Sequence, residues 1–187
     1  MTRITAAHEL VERARASRSD ACVVIAEEEL SANLRWAGNA LTTNGVTRSR
    51  RLTVIAAVGG GQGTAAGVVS RQAVTADEVE AVVRAAEAAA WDAGPAEDAQ
   101  PLVTPRQTAA TSPSAGFSDD PADTSIAVFA DFAPALGEAL ARSREGGRLL
   151  YGFARHEMTT TYLATSTGLR LRHDQPTGSV ERQGRPT

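Results

Sequence analysis

The chain has 187 residues, enough for one domain or for one domain and part of another, and 42% of them are hydrophobic, so it can build a core. Its formal net charge is −3, from 19 basic and 22 acidic residues scattered along the chain, which argues against electrostatic binding of nucleic acid. The single cysteine, Cys22, excludes an internal disulfide and a cysteine-based metal site.

The apolar segments are short. None approaches the roughly 18 apolar residues that a membrane-spanning helix needs. The first 16 residues carry charges throughout and lack the apolar centre of a secretory signal. The sequence therefore predicts a cytoplasmic location and no membrane partner.

The first predicted element is an amphipathic helix over residues 5–16. Its apolar residues recur three and four positions apart, as one face of a helix requires; they are Ala7, Leu10, Val11 and Ala14. Residues 21–26 are β-branched and apolar, which predicts a buried strand. The three consecutive glutamates at 27–29 predict a polar turn after it.

Residues 31–46 (SANLRWAGNALTTNGV) begin as an alternating strand and continue into an uncharged polar loop at 39–43. Asn44-Gly45 predicts a turn, because both residues tolerate positive φ. A strand that ends in such a loop fits a peptide-facing rim, but an ordinary strand end is the more common reason for this pattern. The candidate substrate-facing residues are Arg35, Trp36, Asn39, Thr42, Thr43 and Asn44.

Residues 51–58 and 64–70 predict two further strands, joined as a hairpin through the glycines at 59–61. The same region matches a G-x-G-x-x-A pattern from Gly61 to Ala66. A dinucleotide site would need a helix to begin there, whereas β-branched residues follow. The hairpin is therefore the favoured interpretation.

Residues 75–93 predict a helix that begins with a capping box between Thr75 and Glu78. Its inner stripe is Val79, Val82, Val83, Ala86 and Ala90. Gly94-Pro95 ends it. Residues 94–124 are rich in Pro, Ala, Ser and Thr and predict a long surface connection.

Residues 125–144 predict a third helix, weakened by Pro134 and Gly137. Strands are predicted at 149–154, 158–164 and 169–172, and residues 182–187 as a tail. The predicted fold class is α/β (α+β), with a mixed, largely antiparallel sheet and two to three helices packed on it.

His156-Glu157 is the one pair suggestive of a zinc peptidase. The HExxH motif needs a second His at position 160, which is Thr160, and the HExxxH spacing fails at Thr161. Ser166 and Ser179 have no His partner that would act as general base. The sequence therefore predicts no catalytic, metal-binding or cofactor-binding residue in this chain.

An extended pattern does point to a family. It consists of LRWAGNALTTNGV, the hairpin LTVIAAVGGGQGTAAGVV, the helix TADEVEAVVRAAEAAA and the late strands YGFARHEMTTTYLATSTGLRLRH. In these segments the chain resembles the N-terminal region of the TldD/PmbA family, once described as modulators of DNA gyrase. It looks most similar to the PmbA-type (TldE) members of actinobacteria, over residues 1 to about 181.

The resemblance implies a cytosolic protein with an α/β N-terminal domain at 1–181 and a larger β-rich C-terminal domain, which this chain lacks. It implies assembly, often as a heterodimer, with a TldD-type subunit that carries zinc on an HExxxH motif and hydrolyses unfolded peptides. The PmbA-type subunit lacks those ligands. The expected function is thus a non-catalytic contribution to a metallopeptidase assembly, with a TldD-type subunit or a second copy as partner and no zinc of its own.

The alternative is a protein-interaction module with no peptidase role, which acts through an exposed sheet edge.

Overall fold

In the part of the chain that the structure describes, five antiparallel strands and three α-helices form an α+β fold, as predicted. The computed structural model describes residues 6–15, 19–60, 63–108 and 116–186. The elements are α1 (Ala7–Ala14), β1 (Ala21–Ala37), β2 (Ala40–Gly60), β3 (Gly63–Gln72), α2 (Val79–Asp92), α3 (Phe132–Glu145), β4 (Arg148–Thr165) and β5 (Arg170–Pro186). The strands lie in the order β3-β2-β1-β4-β5. Short 3₁₀ turns occupy Pro105–Gln107 and Ile126–Phe129.

The chain divides into two compact units. Unit 1 comprises Met1–Glu28, Ser49–Pro121 and Thr160–His173. Unit 2 comprises Glu29–Arg48, Ala122–Thr159 and Asp174–Thr187. The long strands β1, β2, β4 and β5 each have residues in both units, and β1 and β4 contribute to both cores.

The core of unit 1 contains the predicted stripes of α1 and α2, together with inward residues of β1 and β2 and the late residues Phe117 and Tyr162. Phe117 comes from the segment predicted as a surface connection, and it is buried edge-on against Tyr162, with ring centroids 5.8 Å apart. The Tyr162 hydroxyl donates to the carbonyl of Asp119 at 2.8 Å. The connection is therefore anchored at its end, because an apolar ring in it gains from burial.

The helix α2 begins at Val79, later than predicted. The Glu78 carboxylate accepts from the Thr75 amide at 2.9 Å, as a capping box requires, and the Thr75 hydroxyl donates to the same carboxylate at 2.8 Å. Both bonds lower the pKa of the Glu78 carboxyl, and the bond from the Thr75 backbone amide has the larger effect. The reciprocal bond of the box, from the Glu78 amide to the Thr75 hydroxyl, is replaced by one to the Thr75 carbonyl.

The glutamates at 27–29 do not form a turn, because β1 continues through them to Ala37. The alternation that begins at Cys22 places Glu28 on the inward face, where it is 1% exposed. Arg50 of β2 donates to Glu28 Oε2 from Nε at 3.0 Å and from Nη2 at 2.6 Å. A buried carboxylate is tolerated only with such a partner, and the partner is 22 residues away in the sequence.

The turn predicted at Asn44-Gly45 is also wrong, since both residues lie inside β2. The chain reverses at Gly38 and Asn39, with φ values of 58° and 64°. Two consecutive positive φ values are what a tight hairpin with right-handed strand twist needs.

The predicted glycine hairpin is confirmed. β2 and β3 pair antiparallel, from Arg51 opposite Gln72 to Gly60 opposite Gly63. Its turn residues, 61 and 62, lie outside the described residues. Ala65 and Ala66 belong to a strand, so the dinucleotide interpretation fails for want of a helix.

The later strands are longer and fewer than predicted, and the third helix is shorter. A 3₁₀ turn capped by the Ser125 hydroxyl precedes α3, whose first turn contains Pro134, where proline removes no hydrogen bond. β4 runs unbroken through His156 and Glu157. β5 extends to Pro186, so residues 182–186 belong to a strand and not to a tail.

Candidate functional site

The six predicted substrate-facing residues lie on the hairpin of β1 and β2, in unit 2. The structure divides them into two groups. Trp36 and Asn39 are buried, at 3% and 2% exposure. Arg35, Thr42, Thr43 and Asn44 are exposed.

Trp36 is a core residue of unit 2. Its indole packs against the Phe132 ring, with centroids 6.1 Å apart and planes tilted by 46°. It also lies over Gly152 of β4, so close that a Cβ there would fall within 3.0 Å of the indole. Trp36 therefore shapes the interior and is not part of an exposed rim.

Asn39 connects the hairpin turn to β4 by hydrogen bonds. Its Nδ2 donates to the carbonyl of Arg148 at 2.6 Å, and its Oδ1 accepts from the amide of Leu150 at 2.7 Å. Its backbone amide donates to the Leu150 carbonyl at 3.2 Å, and its carbonyl accepts from Arg144 at 2.7 Å. Since all four bonds are internal to unit 2, Asn39 is a structural residue.

The exposed group lies beside an unpaired stretch of sheet. β3 pairs with β2 only from Arg51 onward, and the Ala73 amide donates to the Arg50 carbonyl just beyond that register. The side of β2 that faces away from β1 thus has no strand partner over residues 40–47, within the part of the chain that the structure describes. We call residues 40–47 the open β2 edge.

The open β2 edge has the chemistry of a strand-recruiting surface. Eight residues of strand present a row of backbone donors and acceptors about 26 Å long. Thr42, Thr43 and Asn44 are uncharged, and Leu41 and Val46 are 56% and 45% exposed. Leu41 and Val46 lie on opposite faces, because their positions differ by an odd number. An extended peptide pairing here would gain backbone hydrogen bonds and apolar contact on both faces.

Arg35 lies on β1, with its guanidinium 5.9 Å from the ring centroid of Phe153 on β4. This cation–π contact explains how an exposed arginine is held on the sheet surface. It does not join Arg35 to the open β2 edge, which contains only Thr42, Thr43 and Asn44 of the six predicted residues.

His156 and Glu157 are engaged with protein groups. The His156 Nδ1 lies 2.8 Å from the Thr124 hydroxyl, and Glu157 pairs with Arg155 at 3.2 Å and accepts from Thr177 at 3.4 Å. Among the described residues no three His, Cys, Asp or Glu side chains are grouped as metal ligands. The described residues therefore do not fit the zinc site of a peptidase.

A sequence match links one segment of the chain to a known family. The sequence model described as PmbA/TldA metallopeptidase domain 1 matches residues 22–90, which span β1, β2, β3 and nearly all of α2. This segment of the chain is therefore similar to the first domain of the PmbA/TldA metallopeptidases. No curated protein matches the chain.

Two solved structures share the fold. TldE from Thermococcus kodakarensis is 12% identical, with a TM-score of 0.60, over 90% of this chain and 40% of that one. A protein from Bacteroides thetaiotaomicron described as a modulator of DNA gyrase is 14% identical, with a TM-score of 0.58, over 94% of this chain and 39% of that one. The chain thus spans about 40% of the length of these proteins.

In the part of the chain that the structure describes, every helix is too short or too polar to cross a lipid bilayer.

Proposed function

We propose that this chain is the N-terminal domain of a PmbA/TldE-like subunit, which contributes to a zinc metallopeptidase assembly without carrying its catalytic site. Zinc and the catalytic residues belong to a TldD-type partner, and the assembly acts in the cytoplasm on unfolded peptides. The observation that carries this proposal is the family match over residues 22–90, since that segment includes the strand bearing the open β2 edge.

The open β2 edge supplies a physical role for the domain. An unfolded peptide has free backbone groups and can add as a further strand beside residues 40–47, whereas a folded protein has already paired most of its own. The edge would therefore select unfolded chains, because only they have free backbone donors and acceptors along an extended segment. Uncharged Thr42, Thr43 and Asn44 impose no charge requirement on the peptide.

Co-expression with a TldD-type subunit tests the proposal. A tagged protein that contains this chain should co-purify with that subunit, and the pair should hydrolyse an unstructured peptide. Failure to form any complex, or a complex without hydrolysis, would overturn the proposal. The chain alone should hydrolyse nothing and hold no stoichiometric zinc, and one zinc per chain by elemental analysis would contradict it.

Charge substitutions test the edge itself. Leu41→Lys together with Val46→Lys should weaken peptide binding by the pair about tenfold or more, because charges on an edge strand oppose the approach of another strand. Val103→Lys together with Val128→Lys is the matched control, since these side chains are 50% and 48% exposed and lie outside the edge. Equal effects of the edge and control variants would contradict the assigned role.

The open β2 edge equally supports the second candidate, a protein-interaction module with no peptidase role. In that case the edge would bind a partner strand or a second copy. Size-exclusion of the chain alone discriminates: a dimer that Leu41→Lys dissociates, with no affinity for a TldD-type subunit, favours the module, and a monomer that binds the subunit favours the peptidase assembly.

A further inference from the structure

A groove of about 790 Å³ lies in unit 2, lined by the end of α3, the start of β4 and the end of β5. Four arginines line it: Arg142, Arg148, Arg182 and Arg185. We call it the arginine groove. Ala139, Leu150 and Pro186 add apolar surface to the same lining.

The lining is strongly unbalanced in charge. Its four guanidinium groups carry four formal positive charges, and no acidic side chain lines it among the described residues, although the chain as a whole has a net charge of −3. Like charges gathered around one concavity add their potentials there and attract anions.

The contacts of Arg142 and Arg185 leave their positive charges available to a ligand. Arg142 pairs with Glu138 at 3.3 Å, but both side chains are more than two thirds exposed, so the pair is weak and screened. Arg185 donates to the neutral Tyr151 hydroxyl at 2.9 Å and lies 5.1 Å from its ring centroid. That contact fixes the direction of the side chain without neutralising its charge.

We propose that the arginine groove binds an acidic peptide segment, one rich in Asp and Glu. A guanidinium fork matches the two oxygens of a carboxylate, and several forks around one groove match a run of carboxylates. The aliphatic stems of such residues can lie on Leu150 and Ala139. The groove therefore selects peptides by charge, which the uncharged open β2 edge does not do.

The lining argues for peptide over nucleic acid. Binding of single strands relies on several aromatic platforms for base stacking, and Tyr151 is the one aromatic ring in contact with an arginine of the groove among the described residues. The acidic balance of the whole chain also repels a long polyanion. A short acidic segment meets only the local charge of the groove.

Fluorescence anisotropy with a labelled, unstructured peptide of eight residues, six of them Glu, tests the proposal on the full chain. At low salt the Glu peptide should bind, and the matched peptide with Gln in place of Glu should bind at least tenfold more weakly. Raising the salt to about 0.3 M should weaken binding severalfold, because exposed charge pairs are screened.

The double variant Arg148→Gln, Arg182→Gln should weaken binding of the Glu peptide about tenfold. The matched control, Arg71→Gln with Arg106→Gln, removes the same charge from exposed positions outside the groove and should change it less than twofold. Circular dichroism should show that both variants fold as the parent does; if the groove variant does not, Arg182→Gln alone should still weaken binding measurably.

The proposal is overturned if the Gln peptide binds equally, if the control variant loses as much affinity, or if an oligothymidylate of equal charge binds as tightly. It stands independently of the peptidase assembly, because the binding assay uses neither a TldD-type subunit nor hydrolysis.

Discussion

Units 1 and 2 share four strands but differ in what those strands do. In unit 1, small and branched residues interlock between helix and sheet, and side chains such as Leu10, Val24 and Leu52 are fully buried. In unit 2, the core among the described residues is smaller and includes the rings of Trp36 and Phe129. Beyond the core of unit 2, β5 is exposed along almost its whole length. The difference suggests that unit 1 carries most of the stability and unit 2 most of the binding surface.

The strand β2 shows the contrast within one element. From Arg51 to Gly60 it is paired with β3 and alternates between buried and less buried side chains. Over residues 40–47 it is exposed on both faces and unpaired on one side, within the described residues. A strand contributes to the packed sheet where both neighbouring strands are present, and it can bind a further strand where one neighbour is missing.

The largest expected effects come from two glycines, one in each unit. A Cβ at Gly67 would lie within 3.0 Å of backbone atoms of Ala86 and Ala90 in α2, and one at Gly152 would lie equally close to the Glu181 carbonyl. Each Gly→Ala variant should lose about 3 kcal/mol or more in denaturant unfolding, because backbone cannot move aside as a side chain can. Fluorescence of buried Trp36 in a Trp91→Phe background reports unit 2 separately.

The control for both is Gly137→Ala, where a Cβ meets nothing within 4 Å. It should leave stability unchanged or raise it by about 0.5–1 kcal/mol, since alanine favours a helix interior. A loss below about 1 kcal/mol at Gly67 would contradict the close packing of α2 on β3.

The buried ion pair between Glu28 and Arg50 in unit 1 should have the next largest effect on the free energy of unfolding. Glu28→Gln should cost about 3 kcal/mol in urea unfolding, because it removes the buried carboxylate that pairs with the largely buried Arg50. Glu27→Gln removes a neighbouring carboxylate whose pair with Arg51, at 3.6 Å, is exposed, and should cost less than about 1 kcal/mol. Equal costs would show that burial of Glu28 is not what makes its pair important.

Asn39 provides the corresponding test in unit 2, because its side-chain hydrogen bonds hold the hairpin turn on β4. Asn39→Ala loses two side-chain hydrogen bonds and puts alanine at φ 64°, a conformation that asparagine tolerates better than alanine, so it should cost about 2–3 kcal/mol. Asn39→Gly loses the same bonds but adopts this φ freely, and should cost about 1 kcal/mol less. Thermal unfolding followed by Trp36 fluorescence measures both; the reverse order would contradict the turn geometry.

The smallest expected effect depends on pH and lies in unit 1. The Arg170 hydrogen bond, with added help from Arg15, holds the pKa of Glu12 below its usual value against the opposing effect of burial. A lowered folded-state pKa stabilises the fold above the unfolded-state value, and this is lost as pH falls through the folded-state value.

Glu12→Gln should therefore cost less than about 1 kcal/mol at pH 7, since Glu12 is 40% exposed and screened, and still less at an acidic pH, where Glu12 becomes protonated. Exposed Glu97 provides a control variant, Glu97→Gln. Urea unfolding at both pH values measures the difference; a cost that grows as pH falls would contradict the pairing with Arg170.

Local periodicity predicted the helices best. The buried stripes of α1 and α2 are the residues expected from their spacing, because a helix face depends only on neighbours three and four positions apart. The glutamates at 27–29 show where this fails. Their charge favours a turn locally, and the distant Arg50 helps to make the inward position of Glu28 acceptable.

The residues of the open β2 edge were likewise predicted only in part, because local sequence determines their exposure and distant residues determine their pairing. Exposure of Thr42, Thr43 and Asn44 follows from their polarity, but both Gly38-Asn39 and Asn44-Gly45 are compatible with a turn, and the backbone of β4 decides between them through Asn39. The open β2 edge depends on where β3 begins to pair, and no residue within 40–47 encodes that. Leu41 and Val46 were missed, although their exposure beside polar neighbours is typical of a recruiting strand.

Hydrogen exchange at the open β2 edge tests the central claim most directly. With a saturating unstructured peptide and the TldD-type subunit present, amides within residues 40–47 that point away from β1 should slow markedly, while exposed amides of residues 96–104 should not change. Unchanged exchange at residues 40–47 in a complex that hydrolyses the peptide would contradict the claim that this domain presents peptide on its open edge.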